Sequence, residues 1–163
     1  MTIDQATFRT VMGHLPTGVV AIAGISALAP HPQGLVVGTF QSLSLTPPMV
    51  AFSVDRSSSS WPKVRTAGRL GASVLAAGQE PVCQALSRKQ PNKFADVAWH
   101  LSEYRTPRIA GAHAWIDCAI THELDGGDHV IVLAEVLHME AGEGDPLVFH
   151  RGRLGSYREP VAA

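Results

Sequence analysis

Residues Ser57–Ser60 run directly into Trp61–Pro62, and this is the stretch of the sequence best equipped for chemistry. Serine is a favoured N-cap and proline suits the first turn, so a helix is expected to start near Trp61 and end around Ala67–Gly68. The first turn carries Lys63, followed by Arg65, and no carboxylate. A helix start usually attracts Asp or Glu to its positive end. Free N–H groups, serine hydroxyls and a lysine without an acid suit an external anion such as phosphate. The same serines also suit a solvated loop in which one of them caps the helix.

Other residue types narrow the possibilities. The eight histidines form no HExxH pair, and Cys83 and Cys118 lack both the CxxC and the zinc spacing, so no metal site is expected. The chain has no GxGxxG element, no Walker loop and no G-x-S-x-G, which argues against a Rossmann site, a phosphate loop and a serine hydrolase. The two thiols read as buried and reduced, in a cytoplasmic protein. A net charge of −1 gives no electrostatic case for nucleic acid or an acidic membrane. No apolar run reaches membrane-spanning length, and no secretory leader is expected at the N-terminus.

The elements that must position these residues are mostly strands. Phe8, Val11, Met12 and Leu15 recur at helical spacing, predicting an amphipathic helix over 4–15. "TGVVAIAGI" reads as a strand. "LVVGTF" and "MVAFSV" read as two more, joined through "QSLSLTPP", whose paired prolines mark a turn. "LGASVLA" is a further strand, and "EPVCQALSRK" suits a helix with Pro81 in its first turn. "AHAWIDCAITHEL" and "DHVIVLAEVLHME" flank "DGGD", a clear hairpin turn, and "PLVFHRGRLG" follows. Strands therefore dominate, with short helices inserted and no regular strand–helix alternation. At 163 residues, 45% hydrophobic and 17% charged, the chain suits one folded domain. The runs near 18–25, 48–54 and 130–137 are almost continuously apolar, so their outer faces should be covered by helices or by a second subunit. A closed or nearly closed barrel that dimerises is expected.

Taken in order, "GLVVGTFQSLSLTPPMVAFSVDRSSSSWP", "PNKF", "GAHAWIDC" and "GGDHVIVLAEV" followed by "PLVFHRGRLGSY" resemble the flavin reductase-like domain family. These are the short-chain NAD(P)H:flavin oxidoreductases that supply two-component monooxygenases. The resemblance runs from about Phe8 to Tyr157, within a single domain over 1–163. It implies a mainly β, FMN-binding split β-barrel with short helices, homodimeric, holding FMN or FAD in a groove near the subunit interface. NADH or NADPH would donate hydride, and a flavin-dependent monooxygenase component would receive the reduced flavin. Two departures stand out: Val36 and Gly38 occupy positions that are polar in many members, and Leu154 then Tyr157 follow the R-G-R element where an aromatic often comes sooner.

The resemblance also implies roles for particular residues. Ser58, Ser59, Ser60 and the Trp61 backbone would hold the flavin phosphate, with Lys93 adding charge and Phe94 packing on the flavin or a dimer neighbour. Gly38, Thr39, Phe40, Gln41, Ser42 and Ser44 would lie beside the isoalloxazine. His129 would sit where the nicotinamide docks, orienting it or stabilising charge during hydride transfer, and His150, Arg151 and Tyr157 would contact the dinucleotide. Seen alone, His129 also suits a histidine bonded to its own turn, and Lys93 a surface charge. Two other readings use the same residues: a flavoprotein of this fold acting on another substrate, and a non-catalytic flavin- or haem-binding module.

Overall fold

Side chains alternate faces along a strand, and along Val19–Gly24 both faces are buried. Val20 and Ile22 point into a core with Phe52, Trp61 and Leu70, whereas Val19, Ala21 and Ala23 point into another with Leu86, Phe94 and Ile109. The continuous apolarity of this run thus reflects two cores of one chain. A second subunit is not needed to cover it.

The computed structural model describes residues 2–160. The chain opens with α1 (Gln5–Met12), then β1 (Thr17–Gly18), β2 (Val20–Gly24), β3 (Gln33–Val37), β4 (Gln41–Leu45) and β5 (Pro48–Asp55). The short helix α2 (Trp61–Val64) continues as a 3-10 turn over Arg65–Ala67 and stops at Gly68, whose φ of 69° suits glycine. Next come β6 (Arg69–Val74), α3 (Glu80–Ser87), β7 (Trp99–Leu101) and β8 (Pro107–Ile109). The long hairpin of β9 (Ala114–Gly126) and β10 (His129–Ala141) leads to β11 (Leu147–His150) and β12 (Arg153–Ser156). No helix among the described residues is long and apolar enough to cross a membrane.

Seven strands form one antiparallel sheet in the order β3-β2-β6-β9-β10-β5-β4. β1, β11 and β12 form a second sheet, and β7 with β8 a third. The first two meet at a corner, where Leu75 N–H donates to Val19 O at 2.9 Å and Leu147 N–H to Leu75 O at 2.8 Å. The β7–β8 pair crosses β6 so closely that a Cβ on Gly71 would lie 2.0 Å from Pro107 O. A buried network pins this crossing. Arg108 donates to the fully buried Asp117 at 2.6 Å and to Glu140 at 2.9 Å, and Thr106 Oγ also bonds Asp117. Burial alone would raise the Asp117 carboxyl, but bonds from Arg108 and Thr106 outweigh it and hold the group below its ordinary value.

The mainly β expectation holds, and the differences are local. "QSLSL" is an edge strand paired with β5, not a connecting loop. α1 is shorter than predicted: Asp4 caps it by accepting from Thr7 N–H at 2.9 Å, and it ends at Gly13. Its apolar stripe faces outward, with no residue of α1 buried and Phe8 and Val11 58% and 63% exposed. Both thiols are free, but only Cys118 is buried, which pushes it up to about 12, while Cys83 is half-buried.

Candidate functional site

The turn after β5 is built from short-range bonds. Asp55 accepts from Ser57 N–H at 2.7 Å, and Asp55 O accepts from Ser58 N–H at 3.0 Å; the Ser57 hydroxyl and then its N–H hold the Asp55 carboxyl below the ordinary value. The side chain that caps α2 is Ser58, whose Oγ accepts from Trp61 N–H at 3.2 Å. Ser60 caps only through its carbonyl, which accepts from Lys63 and Val64 N–H. Its hydroxyl instead accepts from Lys93 Nζ at 2.8 Å, and the same ammonium donates to Leu86 O at 2.7 Å. Partial burial and the nearby Lys63 charge push the Lys93 ammonium below its ordinary value. Among the described residues, the N–H groups of Ser59 and Ser60 have no intramolecular acceptor.

This turn lines a cleft of about 440 Å³ together with Val36–Thr39, Lys89, Lys93 and His129. Thr39 is fixed to β5, its hydroxyl donating to Ser53 O at 3.0 Å and accepting from Ser53 N–H at 2.9 Å. Gly38 is small for a packing reason: a Cβ there would lie 2.8 Å from Thr17 Oγ1, a buried hydroxyl without a hydrogen-bond partner. His129 opens β10 directly opposite Asp55, and its Nδ1 lies 2.7 Å from Asp128 Oδ1. Arg56 holds that hairpin tip against the serine turn. Its N–H donates to Asp128 O at 3.0 Å, its Nε to Gly127 O at 3.0 Å, and its guanidinium pairs with Asp125.

The cleft therefore joins Gly38, Thr39, Ser58, Ser59, Ser60, Lys93 and His129, which lie far apart in sequence. It does not join the rest. Trp61 is buried in the core, edge-on to Phe52, with Nε1 donating to Glu123 at 2.9 Å. Phe94 is buried against Gly34 and edge-on to Trp99, so neither ring reaches the cleft. Phe40 stacks on Phe52, while Gln41, Ser42 and Ser44 lie on the edge strand β4, outside the cleft lining. His150, Arg151 and Tyr157 line a separate cleft of about 750 Å³, with Arg153. An apolar groove containing Val36, Gly38, Phe149 and Leu154 lies between the two and shares residues with both. Sequence reasoning passed over Asp55, Ser57 and Lys89 as lining residues. Lys89 had a signal, standing four positions before Lys93 in the same loop. Among the described residues, no group of three or more His, Cys, Asp or Glu side chains could hold a metal.

A mainly β scaffold carries a cleft of ligand size, rimmed by N–H groups and lysines of the kind that suit an anionic small molecule. Comparison with known proteins agrees. Residues 12–158 match the family model described as a flavin reductase like domain. A flavin reductase of Pseudomonas putida is 41% identical over 95% of this chain and 91% of its own length. The reductase subunit HsaB of a flavin-dependent monooxygenase from Mycobacterium tuberculosis is 37% identical, over 92% and 81%. Among solved structures, the NADH:FAD oxidoreductase SgcE6 of Streptomyces globisporus, in complex with NAD and FAD fragments, superposes with a TM-score of 0.87 at 32% identity, over 95% of this chain and 93% of that one. The chain belongs to the flavin reductase-like domain family.

Proposed function

We infer that the chain is an NAD(P)H:flavin oxidoreductase that supplies reduced flavin to a flavin-dependent monooxygenase component. The observation that carries this reading is the convergence of the serine turn, Lys93 and His129 on one cleft. The residues present fit a flavin phosphate. Among the described residues, two N–H groups lack acceptors, and the Lys93 ammonium is bonded only to neutral oxygens. Ser57–Ser60 and Lys93 would hold the phosphate, and the Val36–Thr39 backbone would lie along the ring system. Bound flavin supplies the hydride acceptor and a reduced nicotinamide the donor.

The protein's part is to bind and orient. The contact of His129 Nδ1 with Asp128 orients the ring beside the cleft, where its other nitrogen would meet the amide of a nicotinamide. His150, Arg151, Arg153 and Tyr157 would hold the far end of the dinucleotide. Phe40, Gln41, Ser42 and Ser44 would act along β4, whereas Trp61 and Phe94 support the site from the core. The sheet corner and the long β9–β10 hairpin suit a split β-barrel in a single domain with its core over 8–157. The outward stripe of α1 and the exposed Leu45 of β4 suit burial against a second copy, making a homodimer. Two free thiols suit the cytoplasm.

The test is steady-state oxidation of NADH and of NADPH as free FMN or FAD is added. A rate that rises with added flavin supports the reductase reading; a rate indifferent to it contradicts that reading.

A further inference from the structure

The serine turn is tied at both ends to the β9–β10 hairpin. Before the turn, Arg56 binds the hairpin tip through Asp128 O, Gly127 O and Asp125. After it, one carboxylate of β9 holds α2. Glu123 accepts from Trp61 Nε1 at 2.9 Å through one oxygen and pairs with Arg65 Nη2 at 2.6 Å through the other. Trp61 and Arg65 stand four positions apart, so they share one helical face and Glu123 spans it. This grip matters because α2 has little of its own to hold it. The helix is four residues long, Pro62 supplies no N–H, and Ser60 makes no side-chain cap bond. The Glu123 side chain is only 23% exposed, which strengthens both of its contacts. Ser60 directly precedes Trp61 and carries the hydroxyl bonded to Lys93. A shift of α2 therefore moves that hydroxyl and the Ser59 and Ser60 N–H groups together.

We propose that Glu123 is a positioning residue for flavin binding: outside the cleft lining itself, it sets the Ser57–Ser60 turn to receive phosphate by holding Trp61 and Arg65. A carboxylate behind a phosphate site acts in two opposed ways. Its charge repels the phosphate, so by Coulomb's law alone its removal would tighten FMN. Its two bonds hold the donors in place, so by geometry its removal weakens FMN. Geometry wins here, because Arg65 compensates the Glu123 charge at 2.6 Å and leaves little net field at the cleft. The sign of the change in FMN affinity thus separates the two effects.

The inference rests on the reductase reading and is tested by titrating FMN and riboflavin, which lacks the phosphate, with flavin fluorescence as the readout. Glu123→Ala weakens FMN about ten-fold, the value of one bond to a charged group, and leaves riboflavin nearly unchanged. Glu123→Gln keeps an acceptor for the indole but loses the charge pair, and gives a smaller loss of the same sign. Should Glu123→Ala fail to fold, this near-isosteric variant carries the same test. Trp61→Phe removes the indole donor and keeps a ring in the core; it weakens FMN less in the Glu123→Ala background than in the wild type. Unchanged or tighter FMN binding in the folded Glu123 variants overturns the proposal. Equal weakening of FMN and riboflavin also overturns it, because that pattern marks a loss of the whole cleft rather than of the phosphate turn. A wild type that binds riboflavin as tightly as FMN would defeat the phosphate site of the reductase reading, and the proposal with it, a result read from the unmodified protein alone.

Discussion

Lys93 places its ammonium 2.8 Å from the hydroxyl oxygen of Ser60, a residue 33 positions away in sequence, and no carboxylate shares that contact. The ammonium's other partner is the Leu86 carbonyl, and its charged neighbour is Lys63. Such a cation is held in place but not neutralised. It is stabilised best when an anion arrives.

Replacing this cation separates binding from folding. Lys93→Met should weaken FMN about ten- to a hundred-fold, the value of a hydrogen bond to a charged group. Urea unfolding should show no loss of stability, because the variant removes a partly buried charge facing Lys63. The pH dependence carries a matching sign. The folded pKa of Lys93 lies below its ordinary 10.5, so the free protein gains stability as pH rises through that window, while flavin affinity falls. Calorimetric titrations from neutral to alkaline pH check both trends, and Lys93→Met should lack both.

His129 tests orientation. His129→Ala should raise the KM for NAD(P)H and lower kcat/KM about five- to a hundred-fold, with flavin affinity nearly retained. If the ring only stiffens its turn through Asp128, thermal stability and both ligands should suffer together. Steady-state kinetics beside a flavin titration distinguish the two outcomes.

The buried network predicts a large structural effect away from the cleft. Arg108→Met strands the Asp117 carboxylate, which is fully buried. Removing one partner of a buried pair should cost about 3–5 kcal/mol, measurable by urea unfolding. The stability that Asp117 contributes is present above its ordinary 3.8 and is lost as pH falls through its lowered folded value.

Much of the candidate site was legible because its markers are local. A serine run before Trp–Pro, a lysine before an aromatic and a histidine after a glycine turn each announce themselves in a few residues. What neighbours contribute across the fold was less visible. Trp61 and Phe94 sit beside site residues in sequence, yet one position along the backbone turns their rings into the core. Ser60 reads as a cap, but Lys93 claims its hydroxyl and Ser58 does the capping. The Arg108–Asp117 pair needs β8 to cross β6, which no spacing announces. β4 reads as a loop because Pro47 and Pro48, just after it, mark a turn, and its exposure on both faces hides an edge strand.

The α1 stripe predicts association. Sedimentation at micromolar concentration should give roughly twice the 17.3 kDa chain mass. Phe8→Glu with Val11→Glu, both on the exposed stripe, should shift the protein towards monomer without unfolding it, since neither residue is buried. A wild-type monomer would remove the second copy from the account.

The central claim is that this chain reduces flavin with a nicotinamide donor. It is tested most directly by mixing the flavin-loaded protein with NADH, then with NADPH, under anaerobic conditions and following the flavin absorbance. The account predicts rapid bleaching with at least one donor, slowed in His129→Ala at limiting donor. Tight flavin binding with no bleaching by either donor would contradict it.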